Sequence, residues 1–437
     1  MFNSLFKFSQ EKLNILYENS LFIQNIDRLI FISIIAVFIL STVMSSEIIG
    51  FVAIISMILT LIQLLTKPND KCEPNKFELW LLAYFMIVII SLAGSTLFTL
   101  SLKGFIKTVT YIGFYISVVH YLKNHKSHIP YILGAIGLCV SFESIIGFGQ
   151  NFAHVDEIST WQDVSKLNPE QVMTRVYGTL KPLNPNLLGG YFVAGIPALF
   201  GMSAYFAAKK KYKIASVSLI LSLMSVVALF LTGCRGAYIG CMVIIAGLFL
   251  VCGKFFWNRF KKWFLSAIAT AFALITFAIL SVSSLRARIL SIFAMRQDSS
   301  NSFRFNVYQS SIQMFKDNWL LGIGVGNKNF REIYGLYMRT GFDALSSYNI
   351  FLETAVESGI FALVAFLGFV ITMVKDGIRV ILKSENLSDV IFVSAAIISI
   401  CAMMIHGLVD TVFFRPQIQF IFWTMTAIVS VCKIEHK

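Results

Sequence analysis

The chain is 437 residues long, 57% hydrophobic and only 14% charged, with 41 phenylalanines and a mean hydropathy of +0.75. Those values exclude a water-soluble globular enzyme and a disordered chain, and they describe a polytopic membrane protein. The formal net charge of +13 does not mark a nucleic-acid binder, because the basic residues fall in short clusters between apolar runs, where membrane topology accounts for them.

Residues 1–28 mix polar and aromatic side chains with Lys7, Lys12 and Arg28 and carry no small-residue cleavage site, so a retained cytoplasmic segment is expected rather than a signal peptide. Apolar runs near the length that crosses a hydrocarbon core of roughly 30 Å follow at about 29–46, 48–66, 77–98, 105–121, 129–150, 187–207, 213–232, 236–253, 263–283, 350–375, 388–409 and 416–432. The expected fold is therefore an all-α bundle of about twelve transmembrane helices, nine in 29–283 and three in 349–432, with a short tail at 433–437. A large polar loop, 284–348, separates the ninth helix from the tenth.

Charge gives the orientation. With both termini cytoplasmic in an inner (plasma) membrane, the clusters at Lys67, Lys123, Lys209 to Lys211, Lys254 to Lys262, Lys375 to Lys383 and Lys433 to Lys437 all fall inside. Segments 151–186 and 284–348 then lie outside. The second carries Arg286, Arg288, Arg296, Arg304, Lys316, Lys328, Arg331 and Arg339 against Asp298, Asp317, Glu332 and Asp343, against the positive-inside trend. Its length alone can excuse those charges; the functional reading is an anion site, since guanidinium forks bind phosphate or a smaller anion bidentately.

Within this loop, 303–321 reads as an amphipathic helix lying at the membrane interface through Phe303, Val307, Ile312, Phe315 and Trp319. Gly322, Gly324 and Gly326 then permit a tight turn. They do not mark a nucleotide site, because no strand precedes them and no P-loop lysine follows. Arg235 opens the eighth helix after Thr232 and Gly233, a position where arginine either snorkels to headgroups or serves a site. Asn349, Glu353 and Glu357 share one face of the tenth helix at i, i+4 and i+8, as caps of the helix dipole or as functional groups. His406 and Asp410 pair at i, i+4 before Arg415, as a local clasp or a charge relay. Glu143 is a single acid in the fifth helix, too few for a proton relay. The seven cysteines lack metal-ligand spacing and read as packing residues, and no metal or cofactor is called for.

Four segments carry a family resemblance: TGCRGAYIG, RVYGTLKPLNPNLLGGYF, FRFNVYQSSIQMFKDNWLLGIGVGN and YNIFLETAVESG. Together they resemble the O-antigen ligase and polymerase superfamily across roughly 170–425. YGLYMRTGFDALSSYNIFLETAVESG and HGLVDTVFFRPQIQ further resemble the cyanobacterial branch labelled bicarbonate, or inorganic-carbon, transporter. The superfamily resemblance implies transfer of a glycan from undecaprenyl diphosphate to a lipid or polysaccharide hydroxyl at the outer face of the membrane, without metal or nucleotide. It implies that Arg235 and Arg304 bind phosphate; Arg288 and Arg415, on the same outer side, are further candidates for that role.

The chain departs from the family where a histidine is expected. The family pattern is His-Asn, nine residues and a glycine; here Tyr348 and Asn349 precede Gly359 at that spacing. A phenol with an ordinary pKa near 10 is a poor base at neutral pH; either Glu353, with Tyr348 and Asn349 beside it as catalytic candidates, takes that role, or departure of the diphosphate drives the reaction, or the branch does something else. Two functions of different class therefore stand, a glycan transferase and a bicarbonate transporter, with a non-catalytic envelope scaffold as a third. The absence of an inverted repeat or of paired broken helices favours the first.

Reporter fusions after Lys211, Lys262 and Glu385 are expected to report the cytoplasm, and fusions near Thr160 and Asn301 the outside. A cytoplasmic signal at Asn301 would overturn the orientation.

Overall fold

The computed structural model describes residues 20–66, 74–153, 174–293, 298–339 and 343–433. The described residues are all-α, with no strand among them. In chain order the helices are α1 (Ile26–Ser41), α2 (Ser46–Thr66), α3 (Lys76–Ala93), α4 (Phe98–Asn124), α5 (Ile129–Phe152), α6 (Pro185–Ala208) and α7 (Tyr212–Leu231). There follow α8 (Arg235–Ser281), α9 (Ser283–Leu290), α10 (Ser299–Asp317), α11 (Asn327–Tyr334), α12 (Ile350–Lys383), α13 (Leu387–His406) and α14 (Pro416–Val431).

Nine of the described helices are long and apolar enough to cross a membrane by length and composition. The 47-residue α8 bends at Phe260, and α1 and α14 are shorter apolar helices of 16 residues each. Each of the twelve apolar runs thus falls on a helix or on one limb of α8. The chain is a multi-pass membrane protein. Helix α6 lies at the centre of the bundle, against α5, α7, α8 and α13. Close contacts are made through small residues, as where Gly137 meets Leu199 and Gly377 meets Ile397. The outward faces of α2, α3 and α7 expose Phe51, Leu61, Leu82 and Ile220, a surface that only lipid tails can cover.

The polar loop folds into a small second core of its own. Val307, Met314, Ile323, Phe330, Tyr334, Ala344 and Val356 pack together and join α10 and α11 to the first turns of α12. The inward face of α10 carries Val307, Ser310, Ser311 and Met314, whereas Ile312 and Trp319 are exposed. The apolar stripe expected from the sequence is therefore only partly the buried one, because α10 packs on protein along much of its length.

The loop is locked to the bundle at a break in α12. Gly359 has φ 80° and ψ 179°, a conformation open essentially to glycine alone, and it interrupts the helix. The carbonyls freed by the break are taken up by the GIGVGN turn: Ile323 N–H donates to Val356 O (3.0 Å) and Gly324 N–H to Glu357 O (2.9 Å). Ile360 N–H donates to Trp319 O at 2.9 Å, and Ser91 Oγ adds a second donor to Glu357 O at 2.9 Å. The sequence reading foresaw no broken helix; the break becomes visible only once its carbonyls are seen to have partners, since an unpaired carbonyl inside a membrane bundle costs several kcal/mol.

Gly359→Ala places a Cβ 2.1 Å from Leu320 O on a backbone that alanine avoids. We expect it to lower the midpoint of thermal unfolding of the purified protein and its folded yield. By contrast Gly149→Ala, where an added Cβ meets nothing within 4 Å, should leave both unchanged.

Candidate functional site

Four arginines from four separate segments come together at the loop-bearing end of the bundle. Arg235 opens α8, Arg288 ends α9, Arg304 lies on α10, and Arg175 sits on the extended segment before α6. Arg175 is 2% exposed, and Arg235 and Arg288 6% each, so three of these guanidiniums are almost fully removed from water. Each is fixed by carbonyls at the α7–α8 turn or by the α9–α10 connection. Arg175 Nε donates to Thr232 O at 2.9 Å and its second nitrogen to Asn186 Oδ1 at 2.6 Å. Arg288 Nε donates to Gly233 O at 2.8 Å, and Arg235 donates to Ser291 O and Oγ, each at 3.2 Å.

Among the described residues, Asp298 and Asp410 pair with two of these cations. Asp298, the N-cap of α10, pairs with Arg235 at 3.0 Å, and Asp410 pairs with Arg304 at 3.4 Å while its other oxygen caps Thr411 N–H. Burial, and then the neighbouring Arg175, push the Arg288 guanidinium below its ordinary pKa. A buried group of like charges is stable only when an anion or carboxylate compensates it. The arrangement offers several guanidinium forks that can donate to the oxygens of an anion.

Cys234, His406 and Asp410 offer ligand atoms within 4.8 Å of one another, the one such grouping among the described residues. His406 Nε2 lies 3.9 Å from Cys234 Sγ, with the ring wedged between Gly190 and Gly236. Asp410 is already held by Arg304, and the surrounding guanidiniums oppose a cation, so the residues suit a polar clasp better than a metal centre.

The residues singled out in the sequence separate into groups. Arg235, Arg288 and Arg304 belong to the cluster. Arg415 is exposed and makes no side-chain hydrogen bond among the described residues. Arg296 lies outside the described residues, as does most of the segment expected outside at 151–186. Arg286, Lys316, Lys328, Arg331 and Arg339 are exposed, with Arg331 paired to Asp343. Asn349 is a helix cap: its Oδ1 accepts from Phe351 and Leu352 N–H at 3.0 Å each, and its Nδ2 donates to Leu408 O.

Tyr348 stands beside the cluster. The Arg304 guanidinium lies 5.7 Å from its ring centre, and Phe303 packs edge-on against it. Its φ of 54° is left-handed, an outlier for a bulky residue and a conformation met at functional positions. Burial pushes its phenol above the usual pKa, Asp410 adds to the rise and Arg304 opposes it. The phenol is therefore a proton-bearing donor at neutral pH and cannot be the base. Glu353, one turn into α12, is 1% exposed; its Oε2 accepts from Ser347 N–H at 3.2 Å. Its other oxygen has no protein donor among the described residues.

Arg175 is the member that the sequence reading missed. Its segment is held to α5: Glu143 accepts from Thr179 N–H and Oγ (2.9 and 2.6 Å), and Gln150 Oε1 accepts from Tyr177 and Gly178 N–H (2.9 Å each). Glu143 is thus a clasp that places Arg175. The signal available was the arginine of RVYGTL in an outer segment of nearly neutral net charge.

Residues 218–367 match the family model described as O-Antigen ligase. This stretch is similar to O-antigen ligases. It contains Arg235, Arg288, Arg304, Tyr348, Glu353 and the Gly359 break, while Arg175, His406 and Asp410 lie outside it. No curated protein matches the chain.

The purified protein should bind inorganic pyrophosphate. Loss of one charge-assisted contact in Arg175→Ala or Arg235→Ala should weaken binding by about tenfold or more, and Arg235→Lys should restore it only in part because the fork is lost. Unchanged affinity in both alanine variants would remove the cluster as an anion site.

Proposed function

We propose that this O-antigen ligase-like protein transfers a glycan from a polyprenyl diphosphate to a hydroxyl of a lipid or polysaccharide acceptor. The observation that carries this reading is the convergence of four arginines, three of them buried, at one end of a membrane bundle. A diphosphate leaving group presents oxygens that guanidinium forks bind. As the bond from the sugar's anomeric carbon to the phosphate oxygen breaks, negative charge grows on that oxygen, and fixed guanidiniums in a dry site stabilise it without reorganising.

The acceptor oxygen attacks the anomeric carbon and gives up its proton. Tyr348, with its raised pKa, donates a hydrogen bond rather than taking that proton. Glu353 is the carboxylate next along the chain with an oxygen left open, and it fits the part of base. Bicarbonate transport has one observation in its favour, the helix broken at Gly359 beside Glu353 and Glu357. A single break without a symmetry-related partner among the described helices, and a cluster sized for a multivalent anion, favour the transferase.

The test is glycan transfer and labelled bicarbonate uptake in the same strains. Arg235→Ala, Arg304→Ala and Glu353→Gln should each lower transfer by roughly 10²-fold or more, with uptake unchanged. Tyr348→Phe should cost only a few-fold and leave the pH profile unaltered between about pH 6 and 9. Tyr348→His should keep activity and add a dependence centred near pH 6.5, rising with pH as the imidazole loses its proton. An uptake defect with intact glycan in the arginine variants would move the assignment to transport.

A further inference from the structure

Helix α8 carries a second concentration of positive charge, at the end of its first limb farthest from the arginines. That limb, Arg235–Trp257, rises about 34 Å at roughly 1.5 Å per residue, so its far end lies across the hydrocarbon core from Arg235. At Phe260 (φ −130°, ψ 30°) the helix turns, and the second limb comes back against the first. The Phe264 ring lies 6.4 Å from that of Phe249 and 6.3 Å from that of Trp257. In an unbroken helix residues 253 and 264 would stand about 16 Å apart, yet a Cβ added at Gly253 would lie 3.6 Å from the Phe264 ring. The elbow between the two apolar limbs, 254–263, reads KFFWNRFKKW and sits at the membrane surface.

Lys254, Arg259, Lys261 and Lys262 fall within the elbow, and no Asp or Glu occurs anywhere in 171–297. Lys254 is committed: its Nζ donates to the carbonyls of Ile381 and Leu382 in the last turn of α12, which ties the elbow to that helix. Lys261 and Lys262 are exposed and have no carboxylate partner among the described residues. Other basic residues that the sequence places on this face do have one, as Lys126 pairs with Asp389 at 2.8 Å and Arg379 with Asp376 at 3.2 Å. The rings of the elbow also turn outward. Phe255, Phe256, Trp257 and Phe260 are exposed, Trp263 is 78% exposed, and Lys261 Nζ lies 4.7 Å over the Trp257 ring. Orientation in the membrane requires basic residues, but not unpaired lysines interleaved with five exposed rings.

Ammonium groups at a membrane surface attract anionic headgroups, and aromatic rings at that depth lie against the glycerol and the upper acyl chains. A free phosphate ion would satisfy the lysines and leave the rings uncovered. A zwitterionic lipid would cover the rings but bring a cation of its own to the lysines. We propose that the α8 elbow binds an anionic glycerophospholipid of the leaflet opposite the arginine cluster. Its phosphate is held by Lys261 and Lys262, and its glycerol and upper chains lie against Phe260 and Trp263. The inference stands independently of the transferase reading.

The test uses the full chain in a neutral detergent, titrated with phosphatidylglycerol, with phosphatidylcholine of the same chain length, and with inorganic phosphate. Native mass spectrometry reads lipid binding, and the midpoint of thermal unfolding reads all three ligands. Phosphatidylglycerol should bind saturably, about tenfold or more tightly than phosphatidylcholine, and rising salt should narrow the difference. Lys261→Gln with Lys262→Gln should abolish that preference, and Lys261→Arg with Lys262→Arg should keep it, since the charge is retained. Trp263→Ala should weaken both lipids by a few-fold; it alters one exposed ring, so it keeps the test decisive if the glutamine variant does not fold. Lys209→Gln with Lys211→Gln, which removes two lysines from the α6–α7 turn, should leave the preference within about twofold, and so should Arg235→Ala. Equal affinity for the two lipids, a preference that survives in the glutamine variant, or lipid binding indifferent to Trp263→Ala would each overturn the proposal. So would an equal loss on changing Lys209 and Lys211, which would mean a diffuse surface field, a loss in Arg235→Ala, which would place the lipid at the arginines, or inorganic phosphate that matches the lipid.

Discussion

The break in α12 is the constraint on which the rest of the structure depends. A transmembrane helix cannot leave its carbonyls unpaired in a dry interior, so unwinding at Gly359 requires donors from elsewhere in the chain. The GIGVGN turn supplies them, and in doing so it fixes where the polar loop enters the bundle. With the turn anchored, α10 and α11 close a small core against α12, and Arg304 and Tyr348 are held against each other from opposite ends of the loop. Glycine is needed on both partners: at Gly322 a Cβ would lie 2.4 Å from Glu357 O, and at Gly359 one would lie 2.1 Å from Leu320 O.

The arginine cluster shows how a membrane protein can hold like charges together. Arg175, Arg235 and Arg288 are tied by carbonyls, an amide oxygen or a hydroxyl to turns, Arg304 pairs with Asp410, and the carboxylates Asp298 and Asp410 come from separate connections, one before α10 and one after α13. The convergence of guanidiniums from distant segments is the reason an anion is proposed for the site.

Much of the fold was legible in the chain itself. Runs of apolar residues near twenty in length have one stable arrangement in a bilayer, because every backbone group must be paired within the segment. That physics is local, and it located the helices, the polar loop and the isolated arginines Arg235 and Arg304. Capping was legible too: Asn349 before an apolar run, with its oxygen on two backbone N–H groups, is what helix termini require. The identity of the buried face of α10 was not, since it depends on α11 and α12 packing on it.

What the tertiary structure alone decided is which polar residues meet. Arg175 and Arg235 are sixty residues apart in the chain, and Arg304 and Asp410 more than a hundred; no periodicity links them. The membership of Arg175 and the division of the Asn349, Glu353 and Glu357 face into a cap and two acids that line a cleft both follow from how helices from distant parts of the chain converge. Helix formation is determined by neighbours in sequence, whereas the balance of charge in a buried site is determined by neighbours in space, and only the folded bundle brings those together.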